Sequence, residues 1–422
     1  MSKTSKTTLT VFEHQSLYLN DEIDDVIFDN GLLKAMQDFY GRDGVPYFSL
    51  LNKGVKFCEY VGVIQVGKIT IEVLPKADHQ DNKMEWRGAL IDMLRSVGVF
   101  NIKAPTSTSL KVKPNSILDL YIELFLKEIE ILLHLGLIKK YRKTDNNCTS
   151  LKGNLIFGKH IQKNLIHREY FFTRHTVYDV NHVLHQIIYK TLLLLFRINT
   201  NTSLQSRIGS LLLNFPEQSD IKVFESTFEK LPLNRKTAGY NNAIEIARLL
   251  LLNYHPNVSQ GKHHVLALMF DMNMLWEKFV FVSLKQHLKK ENNYRIISQM
   301  SKYFWQPEKG YTSSIIPDIV ISYGSKHENC IVLDTKWKNL NGYNPSPDDL
   351  RQLYVYHEFY DAERVALIYP GTFKPKKGLY YTKHNVTGSK ECSVMGIKVT
   401  TNISLWREEI GKNILSWAKN EV

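Results

Sequence analysis

The stretch that decides the fold runs from Ile315 to Lys338 and reads IIPDIVISYGSKHENCIVLDTKWK. Two short apolar runs flank a polar turn that contains Gly324, Ser325 and Asn329. That is the pattern of a β-hairpin, with strands expected at about 315–322 and 330–336. Asp318 falls inside the first strand, and Asp334 falls near the end of the second with Lys336 two residues on. Side chains in a strand alternate faces, so Asp334 and Lys336 project from the same face. Antiparallel pairing brings Asp318 close to them. Two carboxylates and an ammonium then converge at one end of a sheet.

Working outward, a helix is expected over 347–360. Ser346 is its cap, Pro347 takes the first helical position, and Asp348 and Asp349 suit the positive end of the dipole. A strand at 364–369 (RVALIY) follows. Upstream, Asp271 is a plausible cap for a helix over about 272–290, and a strand is expected at about 294–305. The C-terminal order is αβββαβ.

The cluster has an evident chemistry. Carboxylates hold Mg²⁺ with most of its waters retained. The metal polarises a phosphodiester and lowers the pKa of a bound water. A lysine orients that water and stabilises developing charge. The bland alternative is a strand-end salt bridge, since Asp-x-Lys alone is common. The Pro317-Asp318 dipeptide and the hairpin spacing favour a site. Glu277, on the helix before the sheet, and Gln352 and Tyr356, four apart on one face of the next helix, stand in order around it. Each also reads as an ordinary solvated or amphipathic position.

The rest of the chain divides in two. Residues 1–105 read as β-rich, with strands of about 57–66 and 69–74 around a turn at Gly67-Lys68, then a helix near 84–97 ending at about Gly98. Residues 106–260 carry long helices: one after Ser116 that stops at Gly136, one over about 180–197, and one over about 240–253. The polar stretch KKYRKTDNNCTSLKGN separates the first two. A helical arm is expected there, and a third domain over 261–422. The fold class is α/β. A length of 422 residues is compatible with two to three domains.

Composition closes other routes. With 43% hydrophobic and 23% charged residues, the chain has material for a folded core and is not disordered. The net charge of +12 favours a polyanion partner. Cys58, Cys148, Cys330 and Cys392 are scattered, which is poor material for zinc and fits a reducing compartment. No apolar run suits a signal peptide or a membrane span, so a cytoplasmic protein without membrane contact is expected. Gly62 to Lys68 (GVIQVGK) mimics a phosphate loop, but Ile69 stands where Ser or Thr should hold Mg²⁺, and no helix follows. His263-His264 is the densest histidine pair, without a second cluster at ligand spacing. No nucleotide site is expected in this chain.

Glu277, Pro317-Asp318, Asp334-Thr335-Lys336 and Gln352-x-x-x-Tyr356, in αβββαβ order, resemble the PD-(D/E)XK nuclease superfamily, and the Gln-x-x-x-Tyr helix resembles its RecB-like branch. SIIPDIVI, VLDTKWK, DLRQLYVY and VALIYP together look like the McrC family, the nuclease subunit of the McrBC modification-dependent restriction system. VGVIQVGKITIEVLPK, GLIKKYRK and SLKGNL resemble family segments in the N-terminal half. Near Tyr178-Asp179 the family's Asn-Arg pair is replaced, and His182 follows Asn181, so no partner-contact residue is carried over.

The resemblance implies an Mg²⁺- or Mn²⁺-dependent endonuclease for double-stranded DNA. It implies an AAA+ GTPase partner, an McrB-like ring that binds GTP and whose turnover this chain stimulates, with 106–260 as the arm that engages it. Its catalytic residues would be Asp318, Asp334, Lys336, Glu277, Gln352 and Tyr356, with Asp318, Asp334, Glu277 and the carbonyl of Thr335 as metal ligands. Two other classes compete: an assembly module with an inactive nuclease fold, and a standalone DNA-binding protein or nuclease. The last draws on the mixture of Lys374, Lys376, Lys377 and Lys383 with Phe373, Tyr380 and Tyr381.

Overall fold

The computed structural model describes residues 8–76, 83–97, 116–231, 234–255, 264–289, 294–324, 329–338, 340, 344–400 and 402–419. The chain forms two compact units, Met1–Lys103 with Asn257–Val422, and Ala104–Pro256. The expected boundaries at 105/106 and 260/261, the helix stop at Gly98, Ser325 of the hairpin turn and His263 lie outside the described residues.

In the first unit, the strands Tyr60–Val66 and Ile69–Leu74 form the expected hairpin, and Gly67 in its turn has φ +58°. Thr8–Phe12 adds in parallel to Ile69–Leu74. Val265–Asp271 pairs antiparallel with Tyr60–Val66, placing Ala267 opposite Ile64. Gly62 is required by this pairing: a Cβ there would stand 2.1 Å from the Leu268 carbonyl oxygen, and φ is +139°. The two glycines of the phosphate-loop mimic are thus a turn and a close backbone approach. The segment 57–66 is not one strand, because Gly54–Phe57 pairs separately with Ser16–Tyr18 and Phe48–Leu51. A helix, Asn30–Tyr40, capped by the Asp29 carboxylate, packs Leu32, Leu33 and Met36 into a core with Leu9, Val11, Phe28, Phe48, Ile64 and Ile71.

Val265–Asp271 leads directly into the helix Met272–Leu288, whose start is capped by Asp271 accepting from the Met274 N–H at 3.1 Å. A six-stranded mixed sheet follows, in the order Tyr294–Ser298, Ile319–Tyr323, Asn329–Thr335, Arg364–Pro370, Thr387–Ile397, Lys376–Tyr381. The hairpin is antiparallel, with Ile319 opposite Leu333, and Asn329–Thr335 runs parallel to Arg364–Pro370. The helix Pro347–Tyr360 has Ser346 as its cap and buries Leu353, Tyr356 and Tyr360 against Val320, Val332, Val365 and Leu367.

The sheet corrects three expectations. The strand read over 294–305 is two strands, broken at Gln299 with φ +52°, and Lys302–Trp305 pairs instead with Ser313–Ile315 as a separate ribbon. Asp318 stands just before Ile319–Tyr323, not inside a strand. Pro317, which has no N–H to donate, separates the ribbon from the ladder. Lys336 stands one residue past Asn329–Thr335. The sequence reading also stopped short. Lys376–Tyr381, Thr387–Ile397 and the helix Ile403–Ala418 extend the αβββαβ order.

In the second unit, Ile117–Leu135 begins at Ser116 and ends before Gly136, where φ is +85°. Val183–Ile198, Thr202–Asn214 and Asn241–Leu252 complete a helical bundle packed through Leu120, Leu124, Ile187, Leu192, Ile208 and Ile246. The unit is not wholly helical. The polar stretch read as a separator contains the strand Lys140–Cys148, antiparallel to Phe171–Asp179, with Asn154–Leu155 on the other edge of the latter. Its strands lack apolar alternation because they are held by polar pairs across the ladder. Arg174 meets Asp145 at 2.7 Å, and Arg142 meets Asp179 at 2.8 Å. No helix among the described residues is long and apolar enough to cross a membrane.

Candidate active site

The strand Asn329–Thr335 carries Ile331, Val332 and Leu333 into the core and ends with Asp334 and Thr335 buried as well. Asp334 is 1% exposed. Neither of its oxygens receives a hydrogen bond of good geometry, although the Lys336 ammonium lies 2.8 Å from Oδ2. We take this contact as an ion pair. Burial, reinforced by the negative charge of Asp318, pushes the Asp334 carboxyl well above the usual carboxylate range. Burial alone would depress the Lys336 ammonium, but Asp334, Asp318 and Asp349 outweigh it and hold it above its ordinary value.

Asp318 reaches this group from the turn before its strand. Its Oδ2 accepts from the Thr335 backbone N–H at 2.6 Å and from the Thr335 hydroxyl at 2.8 Å. Glu277 comes from the second turn of the helix Met272–Leu288, among the buried Leu275, Trp276 and Phe279. Its Oε1 accepts from the Gln299 amide at 3.1 Å. Burial and then the Asp318 charge raise its carboxyl. Glu277 is tied to the Asp318 segment through Gln299, whose backbone N–H donates to the Asp318 carbonyl.

Gln352 and Tyr356 share a helical face and bond to each other, the amide donating to the phenol oxygen at 2.6 Å. Tyr356 is 3% exposed, and its hydroxyl donates to the Ile316 carbonyl at 3.1 Å. Its hydroxyl is thus engaged in holding the backbone two residues before Asp318. Burial and the nearby Asp334 charge raise its pKa. Gln352 is only half-buried.

Three contributors were not read from sequence. Asp349, taken as a helix-dipole residue, is buried, accepts from Lys338 at 2.6 Å and from the Tyr369 hydroxyl at 3.2 Å, and acts on Asp334 and Lys336. Asn273 accepts from the Trp337 backbone N–H at 3.2 Å. Glu13 accepts from the Trp337 indole N–H at 2.7 Å and from the Lys76 N–H at 2.6 Å. Glu13 and Trp337 are 324 residues apart, and no local pattern signals such a contact. Together with the Lys336 N–H donating to the Ile368 carbonyl at 3.0 Å, these bonds fix the backbone after Thr335.

Glu13 carries a pH consequence. Burial raises its carboxyl from 4.5 to about 7. The neutral form favours folding, so its contribution is fully present below the unfolded value of 4.5 and is lost as pH rises through about 7. That difference corresponds to roughly 3 kcal/mol. Unfolding by urea at pH 5 and pH 8 is expected to show the wild type losing more stability than Glu13→Gln over that interval. Parallel losses in the two proteins would contradict it.

Among the described residues, no three His, Cys, Asp or Glu side chains cluster tightly enough to form a complete metal cage. The residues present nevertheless fit a hard divalent cation that keeps several waters. Asp334 offers a buried carboxylate whose Oδ2 faces the Lys336 ammonium, and Asp318 acts on it with its own bonds from Thr335 both on Oδ2.

Comparison with known proteins agrees with this architecture. One solved structure it resembles is a refined half-complex from the tetradecameric assembly of Thermococcus gammatolerans McrB AAA+ hexamers with bound McrC. It matches with a TM-score of 0.67 and 22% identity, over 97% of this chain and all of that one. A second, the Thermococcus gammatolerans McrBC complex, matches with a TM-score of 0.48 and 21% identity, over 67% of this chain and 88% of that one. No curated protein matches. The family profile described as McrBC 5-methylcytosine restriction system component matches residues 55–370. With three-quarters of its length covered by that match, the chain belongs to the McrBC 5-methylcytosine restriction system component family.

Proposed function

We propose that this chain is an McrC-like endonuclease subunit that hydrolyses DNA phosphodiester bonds with Mg²⁺ at a PD-(D/E)XK-type site. The observation that carries the reading is the buried Asp334 carboxylate, paired with the Lys336 ammonium and close to the Asp318 charge. A fold places an ionised group there at a cost in stability, and functional sites are where such costs are found. A Mg²⁺ ion held by Asp318 and Asp334 would polarise the scissile phosphate and lower the pKa of a bound water.

The chain's own residues then divide the work. Thr335 orients Asp318 through its N–H and hydroxyl, leaving Oδ1 for the metal side, with the Thr335 carbonyl as a further candidate ligand. Lys336 supplies positive charge where the phosphorane develops it negatively. Glu277 would add negative charge toward a bound cation, and Tyr356 holds the Ile316 carbonyl and so the approach to Asp318. Gln352 has both donor and acceptor capacity toward DNA.

The second part of the proposal is an AAA+ partner, carried over from the relative bound to McrB AAA+ hexamers, with GTP turnover as the resemblance to the McrC family implies. The residues 106–260, read from the sequence as an arm, are assigned to it. Phe157, Ile161, Leu165 and Ile166 are strongly exposed there, together with Lys159 and Lys163, as an apolar surface with a basic rim. The test mixes the purified chain with an McrB-like AAA+ GTPase from the same source and follows GTP turnover and DNA nicking together. Stimulated turnover with Mg²⁺-dependent nicking is the expected result. Nicking at full rate without the GTPase would make this a standalone nuclease.

Glu277→Ala gives a graded check. It is expected to raise the Mg²⁺ concentration for half-maximal cleavage several-fold while leaving the rate at saturating metal closer to wild type. Superimposable metal curves would remove Glu277 from the site.

A further inference from the structure

The ribbon formed by Lys302–Trp305 and Ser313–Ile315 is the most conspicuous surface the proposed function leaves unused. Tyr303 is 80% exposed, Phe304 48%, Trp305 59% and Tyr311 97%. Three successive aromatics in one strand place rings on both faces of the ribbon. A register shift between Tyr303 and Trp305 marks a bulge, a device that re-aims side chains. A two-stranded ribbon buries little and has no folding reason to display these rings to water.

Its base is built from the site. The Gln299 backbone N–H donates to the Asp318 carbonyl at 3.1 Å, and the Gln299 side chain donates to Glu277. The Tyr360 hydroxyl bonds the carbonyls of Met300 and Ile315, the latter at 3.2 Å. The Tyr356 hydroxyl holds the Ile316 carbonyl, and the Lys302 ammonium holds the Phe359 carbonyl at 2.7 Å. Both strands therefore rise from Glu277 and Asp318 and are pinned to the Pro347–Tyr360 helix.

We propose that this ribbon is the DNA-groove contact of the nuclease, laying its aromatic side chains against the bases beside the phosphate held at Asp318 and Asp334. The inference rests on the nuclease reading. A duplex presenting a phosphate to those carboxylates lies within reach of a ribbon rooted on them. Strands of three to four residues extend about 13 Å, and a two-stranded ribbon is among the elements the major groove admits. Exposed rings stack on or wedge between bases without a required sequence. The net charge of +12 suits the polyanion, while at the ribbon's far end Lys309 is offset by Glu308.

The structure supplies its own reporter. Of the six tryptophans, Trp86, Trp276, Trp337, Trp406 and Trp417 are buried, and Trp305 is the exposed one. In metal-free buffer, a 20-base-pair duplex is expected to quench the full-length chain's tryptophan emission, and Trp305→Phe should remove that quench. The triple variant Tyr303→Ala, Trp305→Ala, Tyr311→Ala should bind the duplex about tenfold or more weakly at every salt concentration. The slope of log K on log salt should be unchanged, because no phosphate contact is lost. A quench that survives in Trp305→Phe, or a triple variant that binds duplex like the wild type, overturns the proposal. So does intact duplex binding with lost association to the GTPase or to a second copy, which would make the ribbon a protein surface. These readouts need no cleavage. Absent Mg²⁺-dependent cutting by the wild type would sink the nuclease reading without imitating any of them.

Discussion

Asp334→Asn is expected to abolish Mg²⁺-dependent cleavage of duplex DNA, a fall on the order of a thousandfold or more. The substitution keeps the shape of the side chain and removes the charge that would hold the metal. The fold should survive it. Burial and the Asp318 charge raise this carboxyl, so its ionised form is a burden on the folded state. That burden is absent well below the unfolded value of 3.8 and grows as pH rises through the raised folded value. In metal-free buffer at pH 8 the Asn variant should therefore melt no lower than the wild type. Plasmid nicking and thermal melting on the same preparation check both halves. Metal-dependent cutting by Asp334→Asn at a rate near wild type would contradict the assignment.

Lys336→Ala is expected to separate the two activities. Its ammonium lies against the Asp334 carboxylate, and Lys336 belongs to a different compact unit from Ala104–Pro256. Cleavage should fall on the order of a hundredfold to a thousandfold, as when a preorganised charge at a reaction centre is removed. Stimulation of GTP turnover should remain. The loss of the Lys336 contact leaves Asp334 more poorly compensated, which pushes its carboxyl further up rather than unfolding the strand. A variant that keeps its fold but loses both cutting and GTP stimulation would show that the two functions are not modular.

The parts of this protein legible in sequence are those in which local chemistry and tertiary placement agree. The helix Pro347–Tyr360 was bounded correctly because Ser346, Pro347 and Asp349 each signal its start, and the turn at Gly67-Lys68 was legible because apolar runs flank it, although the first of those strands begins at Tyr60 rather than at 57. Asp334 and Lys336 were placed on one face by strand period alone, and they are in contact. Three kinds of feature were not legible. The strand Lys140–Cys148 is held by Arg174–Asp145 and Arg142–Asp179 pairs, so it shows no apolar alternation. The break at Gln299 depends on a positive φ that Gln does not advertise. Glu13 and Asp349 enter the site through long-range burial, and each reads in sequence as an ordinary surface acid. Tyr356 shows the remaining gap. Helical spacing gave its face, but only the Ile316 carbonyl shows that its hydroxyl is spent on backbone.

The central claim is that Asp318 and Asp334 hold a divalent cation. Anomalous scattering from crystals of the full chain soaked in Mn²⁺ tests it most directly. The account predicts a peak about 2.1–2.2 Å from an oxygen of each carboxylate, with Lys336 adjacent. Loss of the peak in Asp334→Asn is expected as well. Mn²⁺ bound elsewhere with these two carboxylates vacant, in crystals whose fold is intact, would contradict it.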